Sequence, residues 1–193
     1  MLDLSLDAVD LAPLLVGARL TDSGVTLMLT EVEAYAGSAD PAAHAFPGPR
    51  PRTRHLFGPP GTLYCYLSYG IHICGNLVCG VAGGGSAVLL RAGRVVAGFD
   101  RARSRRPGVA DVALARGPGN LGRVMGWTLA DSGRRLGDRL ELEGPEGPVV
   151  IACGPRVGVT VAHARPWRFW AGGDPTVSAY RLSPRIPRGS QDW

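Results

Sequence analysis

The sequence contains no lysine: each of the 21 basic side chains among its 193 residues is an arginine. No lysine amine is therefore available as a nucleophile for covalent catalysis. The arginines form patches that suit phosphate contacts, although many basic proteins carry such patches without binding nucleic acid. The two clusters consist of Arg50, Arg52 and Arg54, and of Arg101, Arg103, Arg105 and Arg106.

Cysteine is scarce as well: the chain has four, which do not predict a disulfide framework in a domain of this size. Cys74 and Cys79 lie close to His72 in the sequence, and this proximity raises the question of a metal site. In a strand, however, Cys74 shares a face with His72 while Cys79 faces the other side, so these residues cannot hold one ion together. We expect no metal site.

No apolar run approaches the roughly 18 residues that cross a bilayer. Residues 1–7 are acidic where a signal peptide is basic, so we expect a cytoplasmic protein without a membrane partner. The length predicts a single domain over residues 1–193 with a substantial core. The end of the chain, from about residue 183 to 193, is rich in proline and arginine and is expected to be loose.

Glycine and proline are abundant, with 28 and 16 residues, roughly double their usual share. This composition predicts short strands and structured loops rather than a helical bundle. We expect a short helix over residues 6–15 and then a hairpin whose second strand begins at Val25. The prolines between residues 37 and 60 predict an irregular loop, and further strands are expected over residues 135–142 and 149–152.

The strand that begins at Val25 ends on two carboxylates and an aromatic ring. Alternate side chains of a strand share one face, so this face changes from aliphatic to acidic and aromatic at its end. A core strand of this kind can form a pocket wall, and the simpler alternative is that it emerges into water. The residues of the face are Val25, Leu27, Leu29, Glu31, Glu33 and Tyr35.

Residues 61–79 predict two strands that meet near Tyr69 and Gly70. Tyr69 is then a ring at a hairpin tip, which a protein avoids exposing unless the ring contacts a partner or folds back onto its own loop. A further strand is expected over residues 86–90, ending in Arg91. Residues 116–121 form a tight turn that can open a helix and offer backbone N–H groups to a phosphate.

Several uncommon motifs follow one another along nearly the whole chain. In their order and spacing they resemble the alkyladenine (3-methyladenine) DNA glycosylase family. The motifs are Glu31–Tyr35, Ala42–His44, Pro60–Gly70, Asn76, Leu89–Arg91, Arg116–Gly119, Pro155–Gly158 and Trp167–Phe169.

The resemblance implies an α/β (α+β) fold: a single domain with a mixed, curved, mostly antiparallel sheet, short helices and a protruding β-hairpin that inserts into DNA. It implies a monofunctional glycosylase of base excision repair that needs no cofactor and acts as a monomer on double-stranded DNA. Such an enzyme flips damaged purines, which are alkylated, deaminated or etheno bases, and hydrolyses the N-glycosidic bond to leave an abasic site.

The resemblance also assigns roles to individual residues. Glu33 is the general base that activates water, and Arg91 and the Val157 carbonyl position that water. Glu31, on the same face by alternation, is expected to matter much less for catalysis. The remaining expected roles are base stacking (Tyr35, His44, Tyr66), the pocket floor (Asn76), the DNA wedge (Tyr69), a groove contact (His72) and phosphate contacts (Arg52, Arg54, Arg116).

Two positions depart from the family pattern. Asn120 stands where a basic residue is usual, which removes one phosphate contact, and Gly75 replaces a bulkier residue, which is expected to widen the pocket.

Two other classes of protein remain open from the sequence. One is a damaged-DNA binding module without turnover, against which Glu33 and Arg91 argue, and the other is a metal-dependent hydrolase that uses His44, His72 and Cys74.

Overall fold

Three short α-helices and nine strands make up the regular structure in the computed structural model, which describes residues 2–186. The helices are α1 (Ala8–Leu15), α2 (Phe99–Arg105) and α3 (Pro118–Met125). The strands are β1 (Arg19–Asp22), β2 (Val25–Ala36), β3 (Leu63–Ser68), β4 (His72–Cys79), β5 (Ser86–Ala97), β6 (Ala115–Arg116), β7 (Glu141–Glu143), β8 (Ile151–Gly154) and β9 (Arg168–Ala171).

The strands form one sheet in the order β3-β4-β5-β2-β1-β7, with β6 paired to β5, β9 to β2 and β8 to β9. All these pairs are antiparallel, and an isolated parallel bridge joins Leu136 to Leu140. The expected α+β fold with a mostly antiparallel sheet is confirmed. Within residues 2–186, no helix has both the length and the apolar character needed to span a membrane.

The residues of strand β2 that point into the core switch from odd to even positions in the middle of the strand. Register shifts flank Glu31, which pairs with Ala92, whereas Leu29 pairs with Gly93 and Val32 with Leu90. A bulge of this kind inserts a residue, Thr30, and reverses the alternation that follows. The hydrophobic core accordingly takes odd-numbered residues before the bulge and even-numbered residues after it: Val25, Leu27, Leu29, Val32 and Ala34.

The alternation predicted from the sequence is therefore wrong across Thr30. Glu31, Glu33 and Tyr35 still share a face, but this face lies opposite to that of the preceding aliphatic residues. The alternative in which the strand emerges into water is wrong as well, because both glutamates are fully buried. The bulge allows one strand to supply the core and then the polar site.

Several predicted boundaries shift in the structure. The loop over residues 37–60 contains 3-10 turns at Gly37–Ala39 and Pro51–Phe57, because proline is compatible with the first turn of a helix. Strand β5 continues past Arg91 to Ala97. The strands predicted over residues 135–142 and 149–152 are the shorter or shifted β7 and β8.

The expected loose tail begins with residues whose side chains are packed. Ser183 and Ile186 are both buried, whereas Pro184 and Arg185 between them are exposed. Residues 187–193, the remainder of that tail, lie outside the described residues.

Three arginines of the second cluster lie in α2 and Arg106 directly follows it, and their contacts stabilise the surrounding structure. Arg105 donates to the Val124 carbonyl, Arg106 donates to the carbonyls of Ala113 and Leu114, and Arg103 pairs with Asp111. Arg101 donates to the Ser23 carbonyl. The sequence suggested these guanidinium groups as phosphate ligands, but in the structure they are bonded to other groups of the protein.

Candidate active site

A cavity of about 790 Å³ opens on the face of the sheet that carries the acidic end of β2. This volume lies in the range of small-molecule pockets. The structure brings together in its lining most of the residues that the resemblance assigned to the damaged base and the water: Tyr35, His44, Tyr66, Asn76, Arg91 and Val157.

Glu33 lies beneath this cavity, with 0% of its surface exposed. Its Oε1 accepts a 2.7 Å hydrogen bond from the backbone N–H of Val157 and lies 3.2 Å from a terminal nitrogen of Arg91. Its Oε2 accepts a 2.9 Å hydrogen bond from the Tyr35 hydroxyl. Three separate parts of the chain therefore fix the orientation of this carboxylate.

Glu31 is the centre of a second buried network. Its Oε1 accepts 2.7 Å hydrogen bonds from Nε of Arg91 and Nε of Arg168, and its Oε2 accepts one of 2.7 Å from the Ser178 N–H. Burial acts to raise the pKa of Glu31, but the charges of Arg91 and Arg168, together with the hydrogen bonds from Arg91 and Ser178, outweigh it and lower that pKa. Arg91 contacts Glu31 and Glu33 at the same time, so it joins the two carboxylates.

Tyr35 lies between the cavity and a buried cation. The guanidinium carbon of Arg156 lies 4.6 Å from the centre of the Tyr35 ring, and Arg156 pairs with buried Asp40. Burial, and then the charge of Glu33, raises the pKa of Tyr35 well above its usual value. The hydroxyl therefore keeps its proton and serves as the donor to Glu33.

His44, Tyr64 and Tyr66 form an aromatic wall of the cavity. The rings of Tyr64 and Tyr66 stack at 5.9 Å, and the His44 ring meets Tyr66 edge-on at 4.6 Å. The Tyr64 hydroxyl lies 3.3 Å from Nδ1 of His44. Burial, and then the charge of Arg52, lowers the pKa of His44, so the wall is uncharged at neutral pH.

Asn76 is buried on β4, and its side-chain amide donates a 3.2 Å hydrogen bond to the Tyr64 carbonyl. Its neighbour Gly75 does not widen the cavity as expected. A Cβ built on Gly75 would lie 2.2 Å from the ring of Trp127, which fills that space and donates to Asp22. The expectation of a wider pocket is wrong, because Gly75 faces an indole rather than the cavity.

The β3–β4 hairpin carries Tyr69 at its tip, where the side chain is 89% exposed. The backbone of Tyr69 has φ of 50°, an uncommon conformation outside glycine that is found more often at functional sites. Tyr69 also lines the cavity mouth, and its hydroxyl comes near Gly158 across it. His72, exposed at the start of β4, packs beside Gly119 at the beginning of α3.

The three arginines expected to contact phosphates differ in their exposure and in their contacts with the protein. Arg52 and Arg54 are exposed on the 3-10 turn beside the aromatic wall. Arg116 is half-buried and donates to the Pro175 carbonyl, so part of its guanidinium is already engaged. Asn120 donates to the Arg116 carbonyl and stabilises the entry to α3.

His44, His72 and Cys74 do not come together. Over residues 2–186, no group of three or more His, Cys, Asp or Glu side chains is arranged to hold a metal ion. The alternative of a metal-dependent hydrolase required these three residues as ligands of one ion, and they are not placed to act together.

Sequence reasoning missed several residues that build this site. Tyr64 shares a face with Tyr66, and Arg156 directly precedes Val157, so alternation and proximity could have suggested both. Ser178 has no motif around it, and only the fold brings its N–H to Glu31.

The chain is similar to known proteins over most of its length. A model of the methylpurine-DNA glycosylase (MPG) family matches residues 3–175. A protein of Cutibacterium acnes named "Putative 3-methyladenine DNA glycosylase" is 51% identical over 192 residues, which cover 94% of this chain and 100% of that protein. Proteins with the same name from Mycolicibacterium paratuberculosis and Nocardia farcinica are 49% and 50% identical, covering 95% and 96% of this chain and 94% and 92% of their own.

The chain belongs to the methylpurine-DNA glycosylase family. It is accordingly a DNA glycosylase, a DNA-repair hydrolase that acts on N-glycosyl bonds in DNA.

Proposed function

We propose that this DNA glycosylase flips a damaged purine out of duplex DNA and hydrolyses its N-glycosidic bond with a water molecule that Glu33 activates. The product is an abasic site in an intact strand. The observation that carries this proposal is a fully buried carboxylate beneath an aromatic cavity, held by Tyr35, Arg91 and Val157.

The contacts of Glu33 leave one acceptor site of its carboxylate unused. A carboxylate offers about four acceptor sites, and Tyr35, Val157 and Arg91 take three. In the reaction the water gives a proton to Glu33, its oxygen bonds to C1′ of the sugar, and the electrons of the N-glycosidic bond leave with the purine. A cationic alkylated purine departs as a neutral base, whereas a neutral purine must also gain a proton.

The cavity supplies contacts for the extruded base. Taking a base out of the stack costs a few kcal/mol, least for a damaged one, and stacking on aromatic rings offsets part of that cost. Tyr35 stacks on one face of the base, with His44 and Tyr66 on the other. The rings attract a cationic alkylated purine by cation–π interaction, while Asn76 at the floor disfavours the exocyclic amine of guanine.

The exposed hairpin tip supports insertion into the duplex. Tyr69 fills the gap that the flipped nucleotide leaves, as apolar wedges do in minor-groove proteins, and His72 contacts the groove beside it. Arg52 and Arg54 bind phosphates and make the affinity salt-dependent. Arg116 makes a weaker contribution, because its guanidinium is already bonded to the Pro175 carbonyl.

Base release measured in single turnover on a duplex with one alkylated purine tests this function. We expect free purine and an intact strand that breaks at the lesion after alkali. Duplexes carrying hypoxanthine or ethenoadenine define the range of substrates. Absence of purine release from every damaged duplex, with folded wild-type protein in excess, would contradict the proposal.

A further inference from the structure

Residues 176–186 form one side of the cavity, although the family model matches the chain only to residue 175. Arg181, Leu182, Pro184 and Arg185 all line the cavity. This segment has no regular structure, so its position depends on contacts with the rest of the site.

Those contacts hold the segment at several points. The N–H of Ser178 donates to Glu31 over 2.7 Å, and Arg168 donates to the Ser178 carbonyl over the same distance. Further along, the N–H of Gly158 donates to the Arg181 carbonyl over 3.1 Å. Gly158 follows Val157, which bonds to Glu33, so the segment is tied to both carboxylate networks.

The segment brings two cations to the mouth of the cavity. Arg181 and Arg185 are exposed, and within residues 2–186 neither forms a salt bridge with an acidic side chain. They differ in this respect from Arg91 and Arg168, whose charges are compensated by buried Glu31.

We propose that Arg181 and Arg185 form a phosphate-binding site for the DNA strand that carries the flipped nucleotide. This inference rests on the proposed function. When the base fills the cavity and its sugar lies near Glu33, the flanking phosphates lie at the cavity mouth. A guanidinium binds phosphate oxygens through two parallel hydrogen bonds, so arginines at the mouth hold the strand on either side of the extruded nucleotide.

The salt dependence of DNA binding tests this site. The probe is a duplex with a tetrahydrofuran abasic analogue, which the enzyme cannot hydrolyse, and the variants are Arg181→Ala, Arg185→Ala and the double variant. Each phosphate contact contributes roughly 0.9 to the slope of log affinity against log salt, so the double variant should lower that slope by about 1.8. Its affinity should fall at low salt and approach that of the wild type at high salt.

Arg139→Ala provides the matched control, because Arg139 is exposed and does not line the cavity. It should leave the slope unchanged. An unchanged slope in the double variant, or an equal loss in the control, would overturn the site. Because the probe measures binding without base release, this outcome is distinct from failure of the proposed reaction: a wild type that releases no purine would contradict the reaction, whatever the slope.

Discussion

The backbone N–H of Val157 donates a 2.7 Å hydrogen bond to Oε1 of Glu33, although 124 positions separate the two residues in the sequence. The contact fixes one oxygen of the carboxylate from a loop that is distant in the sequence. The Tyr35 hydroxyl fixes the other oxygen from within β2 itself. The orientation of Glu33 thus depends on the docking of the Val157 loop as well as on its own strand.

Replacing Glu33 by glutamine should abolish most base release without abolishing DNA binding. An amide cannot accept the proton of the attacking water, so single-turnover release should fall by about 10²–10⁴-fold, the usual contribution of a general base. Glu141→Gln makes the same chemical change at an exposed glutamate and should release purine at the wild-type rate. Near-normal release by Glu33→Gln would refute the assignment.

Glu31→Gln should be severely destabilising, a structural effect separate from the minor part in catalysis expected from the sequence. The substitution leaves Arg91 and Arg168 without their shared counter-charge, and breaking a buried ion pair costs roughly 3–5 kcal/mol. The free energy of unfolding in urea measures this loss. A variant that is as stable as the wild type would show that Glu31 does not hold the two arginines in place.

Glu31 should also make the wild type sensitive to acid. Its pKa is lower in the folded chain than the usual 4.5, so the unfolded chain binds more protons in acid. The stabilisation is complete above the unfolded pKa and is lost as the pH falls through the folded pKa. Unfolding free energy measured at a series of pH values below 4.5 should therefore decline less steeply in Glu31→Gln than in the wild type.

Tyr69→Ala should weaken binding to a lesion duplex while leaving the fold intact. The ring is 89% exposed, and substitutions at such positions usually change stability by no more than about 0.5 kcal/mol. Val81→Ala, at a residue that is 79% exposed and lies outside the hairpin, serves as control for both measurements. Reduced stability with unchanged DNA affinity would instead show that Tyr69 packs on its own loop.

The absence of lysine predicts the fate of the strand after base release. Glycosylases that also cut the backbone form a Schiff base with C1′, which requires a nucleophilic amine. No lysine is present, arginine stays protonated, and the α-amino group of Met1 has no pocket motif around it in the sequence. Borohydride should therefore trap no protein–DNA adduct, and strand breaks should appear only after alkali or an added lyase. A trapped adduct would require a different nucleophile from water.

The sequence predicted the strands and most of the cavity lining because local alternation and compact motifs encode them. It failed at Thr30, where the bulge reverses the alternation: a register shift depends on pairing with β5, which no local pattern records. It also failed to assign Ser178 to Glu31, because this contact joins residues 147 positions apart without a motif around Ser178. Contacts that depend on tertiary packing were therefore the ones that escaped prediction.

Trp127 and Gly75 divide a single volume between them, since a side chain at position 75 would overlap the indole. A relative with a bulkier residue at position 75 needs a smaller or displaced ring at position 127, so the two positions should vary together across the family. Exchanging residue 75 alone between relatives would report a steric conflict in the core and not a difference in substrate choice. Residues 75 and 127 must therefore be exchanged together.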